Sequence, residues 1–167
     1  RLGSDLPVVP VHDLAIHTEA GELVAGTHGR SVWIADIRPL QQMTAQLFFK
    51  KAHLFSSSDG VLWSSGKPRW FGGVKEFLGK NPPAGVNLWY YLGWDAEKIS
   101  LEIRDQKGKL VRKLKAEGTR GLHRSSWSLR RRRDRVSAGE YVVRLVVDGT
   151  RYEEKIEVLP DPLFRTD

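Results

Sequence analysis

Ile99-Ser100-Leu101-Glu102-Ile103-Arg104-Asp105-Gln106-Lys107-Gly108-Lys109-Leu110-Val111-Arg112-Lys113-Leu114 begins the stretch that decides the fold. It continues through Gly121-Leu122-His123-Arg124-Ser125-Ser126-Trp127 and Ser137-Ala138-Gly139-Glu140-Tyr141-Val142-Val143-Arg144-Leu145-Val146-Val147. Ile99, Leu101 and Ile103 point one way and Ser100, Glu102 and Arg104 the other, the period-two alternation of a half-buried strand. Asp105–Gly108 reads as a turn with Gly108 where positive φ is needed, and Lys109–Lys115 as its hairpin partner. His123, Ser125 and Trp127 share one face of the next strand; Tyr141, Val143, Leu145 and Val147 share a face of another. Asp148-Gly149 is a two-residue hairpin signal, and beyond it Tyr152, Ile156 and Val158 oppose Arg151, Glu153, Lys155 and Glu157. With Val86–Leu92 as the first strand, six or seven short strands at this spacing predict an immunoglobulin-like β-sandwich. The Cys-Trp-Cys hallmark of antibody domains is absent.

Upstream, three shorter strands are expected at Val11–Ile16, Glu22–Gly26 and Ser31–Ala35, separated by His17–Gly21 and Thr27–Arg30. Such a meander needs its sheet face covered to be stable. Alone it looks incomplete, as a propeller blade does without its neighbours. Pro39 suits a first helical turn and Thr44 the cap of a second short helix through Lys50. Residues 56–85 are rich in Ser, Gly, Pro and Lys, the composition of a linker; Trp63, Trp70, Phe71 and Phe77 within it argue that part of it packs down. The expected class is mainly β. Its domains are a blade-like piece at 1–37, a linker with short helices at 38–85, the sandwich at 86–160 and a tail at 161–167.

Among 167 residues, 40% hydrophobic and 10% aromatic content is enough for a packed core. The chain has no cysteine, which removes disulfides and thiolate metal sites. No apolar run approaches the roughly 20 residues of a membrane span. The N-terminus has neither an initiator Met nor signal-peptide regions, which suits a piece of a longer protein. Residues 1–97 are neutral, with nine Lys/Arg and nine Asp/Glu, whereas 98–167 hold eighteen against eleven and carry the whole net charge of +7. Arg130-Arg131-Arg132-Arg133-Asp134-Arg135 supplies most of that imbalance.

Leu6-Pro-Val-Val-Pro-Val-His-Asp-Leu-Ala-Ile-His17, followed by Leu23-Val-Ala-Gly-Thr-His-Gly-Arg-Ser-Val-Trp-Ile-Ala-Asp36, resembles the last blade of the bacterial BNR-repeat, sortilin-like (VPS10-like) β-propeller proteins, which are often labelled glycosyl-hydrolase-like. Asn81-Pro-Pro-Ala-Gly85 and the strands after it resemble the C-terminal domain of the same proteins, similar to the immunoglobulin-like domain of flagellar hook-assembly proteins. Three motifs carry the second likeness: Leu-Glu-Ile-x-Asp-x-x-Gly-Lys-Leu-Val-Arg, Gly-Leu-x-x-x-x-Trp and Ala-Gly-x-Tyr-x-x-x-Leu. An Asp-box, Ser-x-Asp-x-Gly-x-x-Trp, is missing; counting back from Trp33 puts His28 at its Asp position and Arg30 at its Gly position. The resemblance implies an extracellular or periplasmic, non-catalytic accessory domain that braces or positions a propeller. It also leaves open a carbohydrate- or protein-binding module, or the non-catalytic part of a glycoside hydrolase whose active site lies upstream of Arg1. The partners it implies are the missing upstream blades, a carbohydrate or protein ligand, and a second copy paired through exposed blade strands.

No catalytic residue, cofactor or metal site is assigned. His12, Asp13, His17 and His28 are the nearest thing to an acid–base or metal cluster, but they lack diagnostic ligand spacing, and Asp13 and His28 read as turn-holding groups. Arg30 faces either a ligand at a propeller's central opening or, beside Gly29, plain solvent. The arginine run lacks the interleaved aromatics of base-stacking sites; it reads as a solvated loop, with no nucleic acid as partner. Trp127, Trp89, Trp94 and Tyr141 are four aromatics that could form a sugar-stacking platform; Trp127 and Tyr141 fall on apolar strand faces and read as core, so Trp94, in a turn, and Trp70, in the linker, are the better-exposed candidates. The candidate ligand-binding set is therefore Arg30, His28, Trp94 and Trp70.

Overall fold

Alternation in the sequence becomes alternation in burial. In the computed structural model, which describes residues 8–29, 32–64 and 85–164, the fold is mainly β. Three strands come first: β1 (Val11–His17), β2 (Glu22–Thr27) and β3 (Val32–Asp36). A helical turn α1 (Arg38–Gln41) and a 3-10 turn (Ala45–Phe49) precede the short strands β4 (Ala52–Leu54) and β5 (Gly60–Val61). Then follow β6 (Val86–Leu92), β7 (Ile99–Asp105), β8 (Leu110–Leu114), β9 (Gly121–Trp127), β10 (Arg130–Arg131), β11 (Asp134–Arg135), β12 (Gly139–Val147) and β13 (Thr150–Leu159). No helix among the described residues is long and apolar enough to cross a membrane. The described residues divide into two compact units, 8–43 and 44–164.

In the larger unit, two sheets enclose one core: a three-stranded sheet in the order β4-β6-β9 and a five-stranded sheet in the order β5-β13-β12-β7-β8. This is the immunoglobulin-like sandwich that the turn spacing predicts. The chain runs from an edge of one sheet at β4 to an edge of the other at β5, where it pairs parallel to β13. Leu88 and Leu92 from one sheet meet Leu101, Ile103 and Leu145 from the other, all fully buried. Each such side chain contributes about 1.5–3 kcal/mol relative to exposure. Trp127 and Tyr141 pack edge-to-face with ring centroids 5.3 Å apart. The Tyr141 hydroxyl donates to the Ser137 carbonyl at 2.8 Å, a tyrosine corner at the start of β12. The Tyr90 hydroxyl donates to the Glu117 carbonyl at 3.0 Å and accepts from the Glu117 N–H at 2.6 Å. It ties β6 to the β8–β9 connection. Among the described residues no buried side-chain nitrogen or oxygen lacks a partner.

Two glycines are dictated by close approach of backbone. A Cβ at Gly93 would overlap the Lys50 carbonyl. Gly85 has φ +110° and lies against the Trp127 carbonyl, where a side chain would overlap it.

Four expectations are corrected. Residues 52–61 fall in the stretch read as linker, yet they supply β4 and β5, so the sheets begin well before residue 86. Trp63 in the same stretch stays exposed. Thr44 does precede the 3-10 turn but makes no side-chain capping bond. Nor is all of 161–167 a tail, because the buried Asp161 accepts the Ser64 N–H at 2.6 Å and the Leu163 N–H at 3.0 Å. These bonds hold its carboxyl below its usual range.

The smaller unit is the antiparallel meander β1-β2-β3. Its register puts Leu14, Ile16, Leu23, Ala25, Trp33 and Ala35 on one face and Ala15, Val24, Val32 and Ile34 on the other. Both faces therefore carry apolar residues at their centre, although the second also bears Asp13, His17, Glu22 and Asp36. Leu14, Ile16, Val32 and Ile34 are 59%, 61%, 62% and 63% exposed.

Candidate functional site

Arg30 and Trp70 lie outside the described residues; His28 and Trp94 lie within them. The register of β1 slips between Val11 and Asp13, and the His28 N–H donates to the Pro10 carbonyl at 3.0 Å. Together these bring His12 Nε2 to 3.0 Å from His28 Nδ1. The two rings are exposed, so this is a shared imidazole hydrogen bond in water. His17 is placed elsewhere: its Nδ1 accepts the Ala20 N–H at 3.1 Å and holds the β1–β2 turn. Asp13 accepts the Leu14 N–H at 2.9 Å. Among the described residues no group of three His, Cys, Asp or Glu is placed to hold a metal ion.

Trp94 sits half-exposed in the turn after β6. The neighbouring Asp95 accepts the Arg120 N–H at 2.7 Å, and the Ala96 N–H donates to Gly118 at 2.7 Å, so this corner is anchored from both sides. The four aromatics of the sugar-platform reading do not form one surface, because Trp127 and Tyr141 belong to the core. Trp89 is on the outer face of the three-stranded sheet, with the Arg124 guanidinium 5.6 Å from its ring centroid.

That outer face is the feature the sequence reading missed. Trp89 pairs across the sheet with Arg124, Asn87 with Ser126, and Tyr91 with His53 on one side and Leu122 on the other. Ser126 Oγ donates to Asn87 Oδ1 at 2.9 Å. Phe48 meets Tyr91 edge-on with centroids 5.9 Å apart. Burial, and then the charge of Lys50, lowers the His53 pKa, so the neutral imidazole is favoured there. The grouping needs β4 in place, and β4 was hidden in the supposed linker.

Several carboxylates of the described residues are engaged with cations or backbone, although Glu140 stands directly opposite Glu157 and Glu22 opposite Asp36. Glu102 binds Arg104, Glu140 binds Lys155, and Glu153 binds Arg144. Asp148 accepts the Lys98 N–H at 2.8 Å and meets Lys51 Nζ at 3.1 Å, and these contacts depress its pKa. Asp59 and Glu140 line an open depression with Lys155 and Glu157. Asp59 is occupied there by the Glu157 N–H at 3.3 Å.

The arginine run is not an irregular loop. Arg130 pairs with Arg135 and Arg131 with Asp134 as the β10–β11 hairpin. The Val136 N–H donates to Leu129 at 3.0 Å and Trp127 Nε1 to the Arg130 carbonyl at 3.3 Å. The buried Leu129 and Val136 side chains fix its base to the core. Leu129 and Arg132 have φ of 55° and 54°, a left-handed conformation costing a non-glycine residue roughly 1–2 kcal/mol.

No family model matches the chain, and no curated protein matches it. Among solved structures it is similar to PorZ, described as an essential bacterial surface component of the type-IX secretion system of Porphyromonas gingivalis. The identity is 17%, the TM-score 0.36, and the match covers 89% of this chain and 16% of that one. It is also similar to CopC from Methylosinus trichosporium OB3b at 26% identity and a TM-score of 0.31, covering 54% of this chain and 86% of that one. The chain thus spans 16% of the length of the PorZ chain. Likenesses this loose carry no functional argument.

Proposed function

We propose that this chain is a non-catalytic accessory piece of a secreted β-propeller protein: a blade whose neighbours lie outside the chain, followed by a sandwich that braces or positions the propeller. The observation that carries the reading is the meander with exposed apolar residues on both of its faces. A sheet with one solvated side alternates apolar and polar residues, whereas a propeller blade is stacked between neighbours and needs apolar residues on both. Exposed Leu14 and Ile16 on one face and Val32 and Ile34 on the other fit a blade without its neighbours. The likeness of Leu23–Asp36 to a BNR-type last blade supports the same reading and adds the extracellular or periplasmic setting.

Sedimentation velocity tests it. The intact chain is expected to associate reversibly as concentration rises, because uncovered blade faces pair with a second copy. The double variant Ile16→Asp/Ile34→Asp is expected to stay monomeric while keeping the melting transition of the sandwich. Association that survives the double variant, or a wild-type chain that stays monomeric at high concentration, would defeat the reading.

A further inference from the structure

The β10–β11 hairpin breaks rules of local consistency that the Arg130 guanidinium's bond to the Arg133 carbonyl and Asp134 opposite Arg131 offset only in part. Arg130 stands directly opposite Arg135, a like-charge cross-strand pair that repels. Arg132 occupies the tip with φ 54°, where glycine would be free of strain. Among the described residues none of Arg130, Arg131, Arg132 and Arg133 forms an ion pair, while Glu102, Glu140 and Glu153 are taken by other cations. Sites where a sequence contradicts its own local preferences, yet is held rigidly by the core, are where function is expected to reside. The rigidity is present: the Leu129, Val136 and Trp127 contacts pin the hairpin base, so a ligand would not have to order it.

We propose that this hairpin is a binding site for an anionic polysaccharide, a sugar chain bearing repeated sulfate, carboxylate or phosphate groups. Guanidinium forks match such oxyanions bidentately. Arg130 and Arg135 share one face of the hairpin, Arg131 lies on the other opposite Asp134, and Arg132 and Arg133 form the tip. A flexible polyanion can follow the Arg130–Arg135 face and wrap the tip, whereas a flat bilayer or a rigid duplex meets one of them. The run Arg130–Arg135 holds no apolar residue to enter a membrane interface. It also holds no aromatic, and the adjacent Trp127 is buried, so bases have no stacking platform.

The test uses the intact chain and four probes: heparin oligosaccharide, polygalacturonate, an oligo-thymidine single strand, and vesicles containing phosphatidylglycerol. Binding to one or both glycans, weakening steeply with salt, is expected. Arg131→Ser/Arg132→Gly/Arg133→Ser is expected to weaken it by about tenfold or more and to flatten the salt dependence. Removing the same charge from the opposite end of the sandwich, with Lys50→Ser/Lys98→Ser/Arg151→Ser, is expected to change it by no more than about twofold, since those residues lie by Gly93, Asp148 and Val146, at the ends of β6 and β12 away from the hairpin. Arg132→Gly alone is expected to raise the melting temperature yet weaken glycan binding, a trade-off that an idle solvated turn would not show. Equal losses from both triple variants overturn the proposal, as does tighter binding to the single strand or the vesicles than to either glycan. So does failure of both glycans to bind at low salt.

Discussion

Replacing Tyr141 by Phe removes one atom from the corner that starts β12 and leaves the ring in place. The hydroxyl donates to the Ser137 carbonyl at 2.8 Å, and Ser137 itself is exposed. Water can therefore take over the abandoned carbonyl, and the loss is the net value of one hydrogen bond, about 0.5–1.5 kcal/mol, rather than a full desolvation penalty. The edge-to-face contact with Trp127 at 5.3 Å survives in Phe. For a sandwich of this size that corresponds to a fall in melting temperature of roughly 2–6 °C. Urea denaturation followed by tryptophan fluorescence, with the buried Trp127 among the reporters, measures it; the midpoint should fall with the slope unchanged. The same variant alters the alkaline limb. Burial, and then the charge of Asp105, raises the Tyr141 phenol above its ordinary value. The stability linked to it is complete below that ordinary value and lost as pH rises through the folded one. Tyr141→Phe should shrink this alkaline loss without removing it, because Tyr90 is raised by burial as well. A neutral substitution would mean that the corner bond contributes nothing, and a loss above about 3 kcal/mol that the hydroxyl holds more than one surface carbonyl; either result rules out a single-bond corner at Tyr141.

Gly85→Ala is expected to destabilise the sandwich far more than a surface change, because φ +110° and the Trp127 carbonyl both oppose a side chain; chemical denaturation should show loss of the transition or a midpoint shift well beyond that of Tyr141→Phe. Acid unfolding should depend on Asp148, whose folded pKa is depressed by the Lys98 N–H and by Lys51. Its contribution is present above the ordinary carboxyl value and lost as pH falls through the folded one, so Asp148→Asn should flatten the acid limb of a stability–pH curve while lowering stability at neutral pH.

The parts of this fold that could be read from sequence are those in which one strand face alone is apolar. Leu101 and Ile103, and Tyr141, Val143, Leu145 and Val147, announce β7 and β12 because their neighbours are polar or outward-facing. β4 and β5 escaped because three and two residues are too few to show a period, and their identity as strands comes from long-range pairing with β6 and β13. The β10–β11 hairpin escaped because arginine carries no strand signal; its pairing is imposed by the buried Leu129 and Val136 on either side. The candidate sites were less legible still. The His12–His28 contact depends on a bulge that no local pattern reveals. The Trp89–Arg124 stack depends on the register of β6 against β9. Contacts between distant strands are set by register, and register is a property of the whole sheet.

The proposed blade reading requires that β1, β2 and β3 have their cover outside this chain, while the two-sheet core of the larger unit needs none. Amide hydrogen exchange of the intact chain at several protein concentrations decides it. At the lowest concentration the amides of 11–36 should exchange far faster than those of 99–105 and 139–159, and their protection should rise with concentration as apolar faces become covered. The sandwich amides should not respond. Residues 11–36 as slow as the sandwich at the lowest concentration, with no dependence on concentration, would contradict the blade reading.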